Sequence, residues 1–200
     1  MYEAHLVLHG VAVKKHGTAA AVADLVGLPA ARVAALLETA VAGGRAALAN
    51  DKYLLTPAGR MIVEAQYSRY YSAPRADGAF VAAHERFERV NNELKQVITD
   101  WQTMNVGGHQ VANDHADADH DEKVIDRLAG VHEKVEPILR AFTAAVPRFA
   151  YYLEKLEQAL EKAEDGAHAW VSDATIDSYH TVWFELHEDI LRVLGREREE

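Results

Sequence analysis

The sequence predicts a mainly α-helical chain, with a head of short helices around one hairpin followed by a set of longer helices. Three observations predict it. Apolar residues recur three and four positions apart through most of the 200 residues, the period of a helix with one buried side. Glycine and proline fall at the ends of these periodic stretches, as at Gly27, Pro29, Gly43-Gly44, Gly107-Gly108 and Pro147. Residues 46–55 depart from the pattern, with two short apolar segments about a polar turn.

Taken in order, residues 3–15 form the first predicted helix, with Leu6, Val7, Val11 and Val13 among small and polar residues. Gly17 ends it, and Thr18 caps a short alanine-rich helix that Gly27 stops after Val26. Pro29 sits where a first-turn proline is tolerated and opens a third helix, Ala30 to Val41. Beyond Gly43-Gly44, Ala46 to Asn50 and Tyr53 to Leu55 make a hairpin around Asn50-Asp51-Lys52. Thr56-Pro57-Ala58-Gly59-Arg60 restarts a helix. Three helices, a hairpin and a helix are the order of a winged helix-turn-helix. The string resembles MarR-type winged-helix proteins at Ala21 to Leu28, at Val33, Leu36 and Leu37, at Gly43-Gly44, and at Leu54-Leu55-Thr56-Pro57-Ala58-Gly59-Arg60. That resemblance covers about the first third of the chain. It implies a winged helix-turn-helix domain over residues 1–60.

Residues 61–78, with Tyr67, Tyr70, Tyr71, Pro74 and Gly78, read as a linker helix and hinge. Residues 79–200 read as an antiparallel helical bundle. Its first helix runs from Phe80 to Asn105, with Phe80, His84, Phe87, Asn91, Leu94, Ile98 and Trp101 on one side. Residues 109–119 read as a polar loop. Asp121 to Ala145 follows, with a kink or break expected at Pro137. Pro147 to Ala163 is the third helix, and Ile176 to Leu194 the last.

Composition narrows the function. A net charge of −10 argues against a protein that coats nucleic acid. Residues 1–60 carry six Lys and Arg against four acids, and the rest 15 against 27, a mildly basic head on an acidic body. The absence of cysteine excludes disulfides and thiolate chemistry. With no apolar stretch long enough to span a bilayer and no signal-type N-terminus, no membrane association and a cytoplasmic location are expected.

A winged helix usually places its recognition helix in the major groove, with basic side chains at phosphates and base edges. The DNA-contacting residues expected here are Arg32 and Thr39 on the third helix and Arg45 and Lys52 on the wing. Most other surface positions of that helix are alanine. Such a face suits packing against a partner helix as well as it suits DNA.

The last helix carries the most informative pattern. At 100° per residue, Ile176, Asp177, His180, Trp183, Phe184, His187, Ile190, Leu191 and Leu194 share one face. His84, Asn91 and His132 occupy equivalent stripes on two other helices. If the stripes meet, buried imidazole and amide groups share one interior and must be hydrogen-bonded. A ligand-binding set of His84, Asn91, Trp101, His132, Asp177, His180, Trp183 and His187 is expected, and a core of structural histidines is the competing reading. Glu185, Glu188 and Asp189 read as a solvated face. No metal and no cofactor is expected. A bundle di-metal site uses Glu-x-x-His pairs, and the nearest strings, Asp117 to His120 and Asp177 to His180, begin with Asp. The acidic loop Asn113 to Asp121 lacks the glycine and closing glutamate of a calcium loop, and reads as a cap for the next helix.

The string Ser178 to Asp189 resembles the tail of uncharacterised actinobacterial helical-bundle proteins, some linked to phosphoenolpyruvate-utilising enzymes. No phosphohistidine motif accompanies it. The first expectation is a winged-helix regulator, DNA-binding or not, whose helical domain binds a small ligand or forms a homodimer. The alternatives are a non-DNA-binding accessory or docking subunit of a phosphotransferase-type enzyme, and a small enzyme with His180 or His187 as general base.

Overall fold

The computed structural model describes residues 2–196. The chain is mainly helical, with ten α-helices and two two-stranded antiparallel sheets among the described residues. Its contacts form two compact units, Met1–Asp77 with His187–Glu200, and Gly78–Leu186. The sequence predicts a head over 1–60 and a bundle over 79–200. Here the stretch after residue 60 packs into the first unit, because it buries Val63, Tyr67 and Tyr71.

In the first unit, α1 (Tyr2–Lys14) is buried from His5 through Val13 on every side, so it is a core helix rather than an amphipathic surface one. Gly10 is what lets α2 (Ala19–Val26) lie against it. A methyl group there would stand 2.8 Å from Val26 Cγ1 and 3.0 Å from Val22 Cγ1. Thr18 caps α2 by accepting from the Ala21 amide at 3.2 Å, and Gly27, with φ +67°, closes its C-terminus. The chain then bends by 116° into α3 (Ala30–Ala42).

Strands β1 (Ala46–Ala49) and β2 (Lys52–Leu55) pair antiparallel, with Asn50 and Asp51 both at positive φ in the turn. Two positive-φ residues are what a tight hairpin turn needs to match strand twist. Gly17, between α1 and α2, adds an isolated bridge to Tyr53. Thr56 then does two things. Its hydroxyl donates to the Gly44 carbonyl at 2.7 Å and accepts from the Gly59 amide at 3.1 Å, capping α4 (Pro57–Tyr70). A short α5 (Ser72–Ala76) follows.

The second unit begins with α6 (Gly78–Gln102) and the strands β3 (Thr103–Val106) and β4 (His109–Ala112). The expected polar loop at 109–119 is thus partly a hairpin. Gly107 and Gly108, both at positive φ, form its turn rather than a simple helix break. Helix α7 (Ala118–Ala145) runs unbroken through Pro137, where a break or kink was expected. Glu133 and Pro137 are both exposed, so water can satisfy the carbonyl that the proline leaves without a donor. A 3-10 turn (Pro147–Phe149), α8 (Ala150–Glu164) and α9 (Ala169–Ser172) lead to α10 (Tyr179–Leu194). The core of this unit includes an aromatic cluster, with Phe80 4.8 Å from Phe142 and Phe142 5.8 Å from Phe149 between ring centres.

Helix α10 starts at Tyr179, three residues later than the periodicity suggested. Its residues through Leu186 belong to the second unit and those from His187 to the first. Glu185 and Asp189 are buried, at 8% and 0% exposure, so the expected solvated face does not exist there. The helix buries more than one stripe, and a single-face reading could not assign its acids. Among the described residues, no single helix is long and apolar enough to cross a membrane.

Candidate functional site

Helix α6 presents His84, Glu88 and Asn91 on one side, four and three residues apart. His84 Nε2 lies 3.1 Å from Glu88 Oε1, and Asn91 Nδ2 donates to Glu88 Oε2 at 3.4 Å. Asn91 Oδ1 accepts from Trp183 Nε1 at 2.9 Å. The Trp183 ring stacks against Phe87 at 4.9 Å and Tyr179 at 6.0 Å. Tyr179 OH lies 3.3 Å from His132 Nδ1. Burial pushes the Tyr179 phenol far above its ordinary value, so it keeps its proton and donates to His132. Burial also lowers His132, with Glu136 and Glu157 opposing that shift, which favours the neutral ring that accepts this bond.

Four of the expected ligand-binding residues, His84, Asn91, His132 and Trp183, therefore join one chain of hydrogen bonds and stacked rings. The other four lie elsewhere. His180 is half-buried, its pKa lowered by burial, and no hydrogen bond among the described residues joins it to this chain. Asp177 sits partly exposed in the turn before α10. His187 is buried in the first unit. Trp101 is ten residues beyond Asn91 on α6, about 15 Å along the axis.

Trp101 belongs to a second cluster, which it forms with the acidic loop before α7. Asp121, 1% exposed, places Oδ2 2.9 Å from His115 Nδ1 and 3.8 Å from His168 Nδ1, while Oδ1 accepts from Asn113 Nδ2 at 2.9 Å. The Trp101 ring centre lies 4.5 Å from that of His115 and 5.4 Å from that of His168. His120 Nε2 lies 3.0 Å from the Asp100 carbonyl oxygen. The loop before α7 is thus anchored at its base, and Asp117 caps that helix by accepting from the His120 amide at 3.1 Å. Among the described residues, no group of three or more His, Asp or Glu side chains has the arrangement to hold a metal ion.

The residues expected to meet DNA are mostly engaged within the first unit. Arg32 donates from Nε and one terminal nitrogen to Glu3 Oε2, at 2.9 and 2.7 Å. Thr39 donates to the Ala35 carbonyl of its own helix, and Arg45 folds back onto the Thr39 carbonyl at 3.3 Å. Lys52 is exposed at the hairpin turn. Around Arg32, the exposed positions of α3 are Ala30, Ala31, Ala35, Glu38, Thr39 and Ala42.

The most deeply buried polar group in the first unit is also one that periodicity passed over. His9 and Asp189 are both fully buried, with Nε2 and Oδ1 3.0 Å apart. Tyr67 OH lies 3.0 Å from His9 Nδ1 and accepts a hydrogen bond from Arg192, which also pairs with Glu188 at 2.7 Å. Burial raises the Tyr67 phenol well above its usual value, with Arg192 opposing the shift, so the hydroxyl keeps its proton for His9 Nδ1. That leaves the ring proton of His9 on Nε2, facing Asp189. One turn earlier, His5 Nδ1 lies 3.2 Å from Gln66 Oε1, and its ring packs 4.5 Å from Tyr70. The available signal was the four-residue spacing shared by His5 and His9 and by Tyr67 and Tyr71. Compared with known protein families, curated proteins and solved structures, the chain matches none.

Proposed function

We propose that the chain is a winged-helix protein of regulator or accessory type that works through protein contact rather than by reading DNA with α3. In this reading the first unit is a winged helix-turn-helix and the second an antiparallel bundle. Support for the first assignment comes from the 116° bend across the three-residue turn Gly27 to Pro29, the hairpin after α3, and the Gly17 bridge to Tyr53.

The observation that carries the function is the state of Arg32. It is the one base on α3, and Glu3 holds it through two hydrogen bonds. Phosphate binding draws its affinity from counterions released by available Lys and Arg, and this face offers little of that. What it offers is a row of alanines, small enough to let another backbone come close. A second copy of the chain is the partner this suits, since a twofold interface pairs one patch with itself.

Fluorescence anisotropy with mixed-sequence duplex DNA at low salt is the direct test. No saturable binding is expected below about 10 µM protein, within the usual range of non-specific association. A selected duplex bound tightly, with affinity falling steeply in salt and on Lys52→Ala, would restore the DNA-reading function. Sedimentation of the full chain should show a dimer that Ala31→Arg with Ala35→Arg converts to monomer. A wild-type chain that stays monomeric at tens of micromolar removes the second copy as partner.

A further inference from the structure

Two imidazoles in the second unit converge on one buried carboxylate that nothing above puts to use. Asp121 lies in the first turn of α7 and is 1% exposed. Its Oδ1 accepts from Asn113 Nδ2 at 2.9 Å, and the same nitrogen donates to the Trp101 carbonyl at 3.0 Å. The carboxylate is thereby fixed in place. Its Oδ2 lies 2.9 Å from His115 Nδ1 and 3.8 Å from His168 Nδ1. An ionised carboxylate only accepts, so His115 Nδ1 carries the proton and donates it. That leaves the lone pair of the neutral ring on Nε2.

The setting of the ring turns that nitrogen outward. His115 packs on Trp101, 4.5 Å between ring centres, and its side chain stays 37% exposed. With Nδ1 directed inward, the exposed edge is the one that carries Nε2, and no hydrogen bond among the described residues ends there. The backbone of His115 is left-handed, φ +58°, a conformation that costs a residue other than glycine and that recurs at functional sites. The half-exposed ring of His168 lies 6.3 Å from that of His115, centre to centre.

We propose that His115 is a nucleophile that takes an acyl group at Nε2 from a neutral activated ester, with Asp121 as its positioning residue. Nε2 forms a bond to the acyl carbon, the carbon–oxygen bond to the leaving group breaks, and that oxygen departs with the electron pair as a phenolate. The ring becomes an acyl-imidazolium that keeps its Nδ1 proton, and the Asp121 carboxylate, 2.9 Å away, compensates the new charge. Water then attacks the acyl carbon, which releases the carboxylic acid and one proton and restores the neutral ring. The surroundings select a neutral donor. Asp114, Asp117 and Asp119, all exposed in the same loop, oppose an approaching anion, so a phosphoryl donor suits the site less well. The proposal is independent of what α3 contacts.

Release of nitrophenolate from p-nitrophenyl acetate by the full chain is the first measurement. His115→Asn removes the nucleophile and keeps a residue that tolerates the left-handed backbone. It should lower the protein-dependent rate about tenfold, whereas His109→Asn, at another exposed histidine, should leave it unchanged. Peptide masses after treatment with diethyl pyrocarbonate should show His115 modified about tenfold faster than His109. Acetyl phosphate, an anionic acyl donor, should react about tenfold more slowly than p-nitrophenyl acetate, each taken relative to free imidazole. Nitrogen-15 spectra of the imidazoles report the tautomer. His115 Nε2 should be unprotonated in the wild type and protonated in Asp121→Asn, whose amide donates to Nδ1, and the rate should fall about tenfold with it. Should that buried replacement fail to fold, the exposed His115→Asn decides alone. The proposal is overturned by a wild-type ring protonated on Nε2, by equal rates for wild type and His115→Asn, or by His115 reacting no faster than His109. It is also overturned if acetyl phosphate matches the ester, or if His115→Asn slows ester cleavage while His115 itself is never modified, which would make the ring a base only.

Discussion

The side chain of Asp189 shows how far one residue's role depends on what covers it. On a helical wheel it falls beside Glu185 and Glu188 and reads as solvent-facing, yet it is fully buried against His9. Removing one partner of a buried pair leaves the other desolvated and uncompensated, at a cost of about 3–5 kcal/mol. Asp189→Leu should lower the unfolding free energy in urea by about that amount, whereas Asp189→Asn, which keeps an oxygen facing the imidazole, should cost about half as much or less. Equal losses for the two variants would mean that packing, not the polar contact, holds this position. The same dependence on cover explains what could be read from sequence in the second unit. His84, Asn91 and Trp183 were legible as an inward-facing polar set because helix period alone places them. Their partner Glu88 was not, since an acid four residues from a histidine looks like any surface pair until its surroundings are known.

Individual elements were most legible where local chemistry decides them. Thr18, Gly27, Pro29 and Thr56 mark helix ends by hydrogen bonds and backbone angles that need no tertiary context. The strands β3 and β4 were not, because each is only four residues long and all of β4 is exposed. The junction of hairpin and α4 gives the sharpest element-level prediction. A Cβ on Gly59 would stand 1.8 Å from the Arg45 carbonyl oxygen, inside any permitted contact. That oxygen also accepts the Thr56 amide at 3.1 Å, so neither backbone can move without losing the cap. Gly59→Ala should therefore cost about 3 kcal/mol or more, at the upper end of overpacking effects. Thr56→Ala, which removes the cap but forces no collision, should cost about 1 kcal/mol. Thermal melts of the two variants rank them, and a Gly59→Ala protein as stable as wild type would show that α4 can shift away from the hairpin.

At the scale of the whole molecule, two of the eleven histidines tie stability to pH below neutrality. Burial lowers His180, and burial lowers His132 against the opposing pull of Glu136, Glu157 and Glu164. His132 also lines a recess of about 250 Å³ with Glu136, Arg140, Glu157 and Glu161, so acids on both α7 and α8 surround it, with Arg140 as the base. For each ring the unfolded chain, near the ordinary value of 6.5, takes up a proton at a pH where the folded chain does not. Protons bound preferentially by the unfolded state favour unfolding. The stabilising contribution is thus complete above about pH 7.5 and is lost as pH falls from 6.5 through the lowered folded values. Urea midpoints at pH 8 and pH 5.5 should show wild type losing more stability than a His132→Gln, His180→Gln double variant. The amide cannot titrate, so that variant has no such protons to gain. An equal loss in both proteins would place the acid sensitivity on other groups, and a wild-type midpoint that rises on acidification would reverse the sign assigned to these two rings.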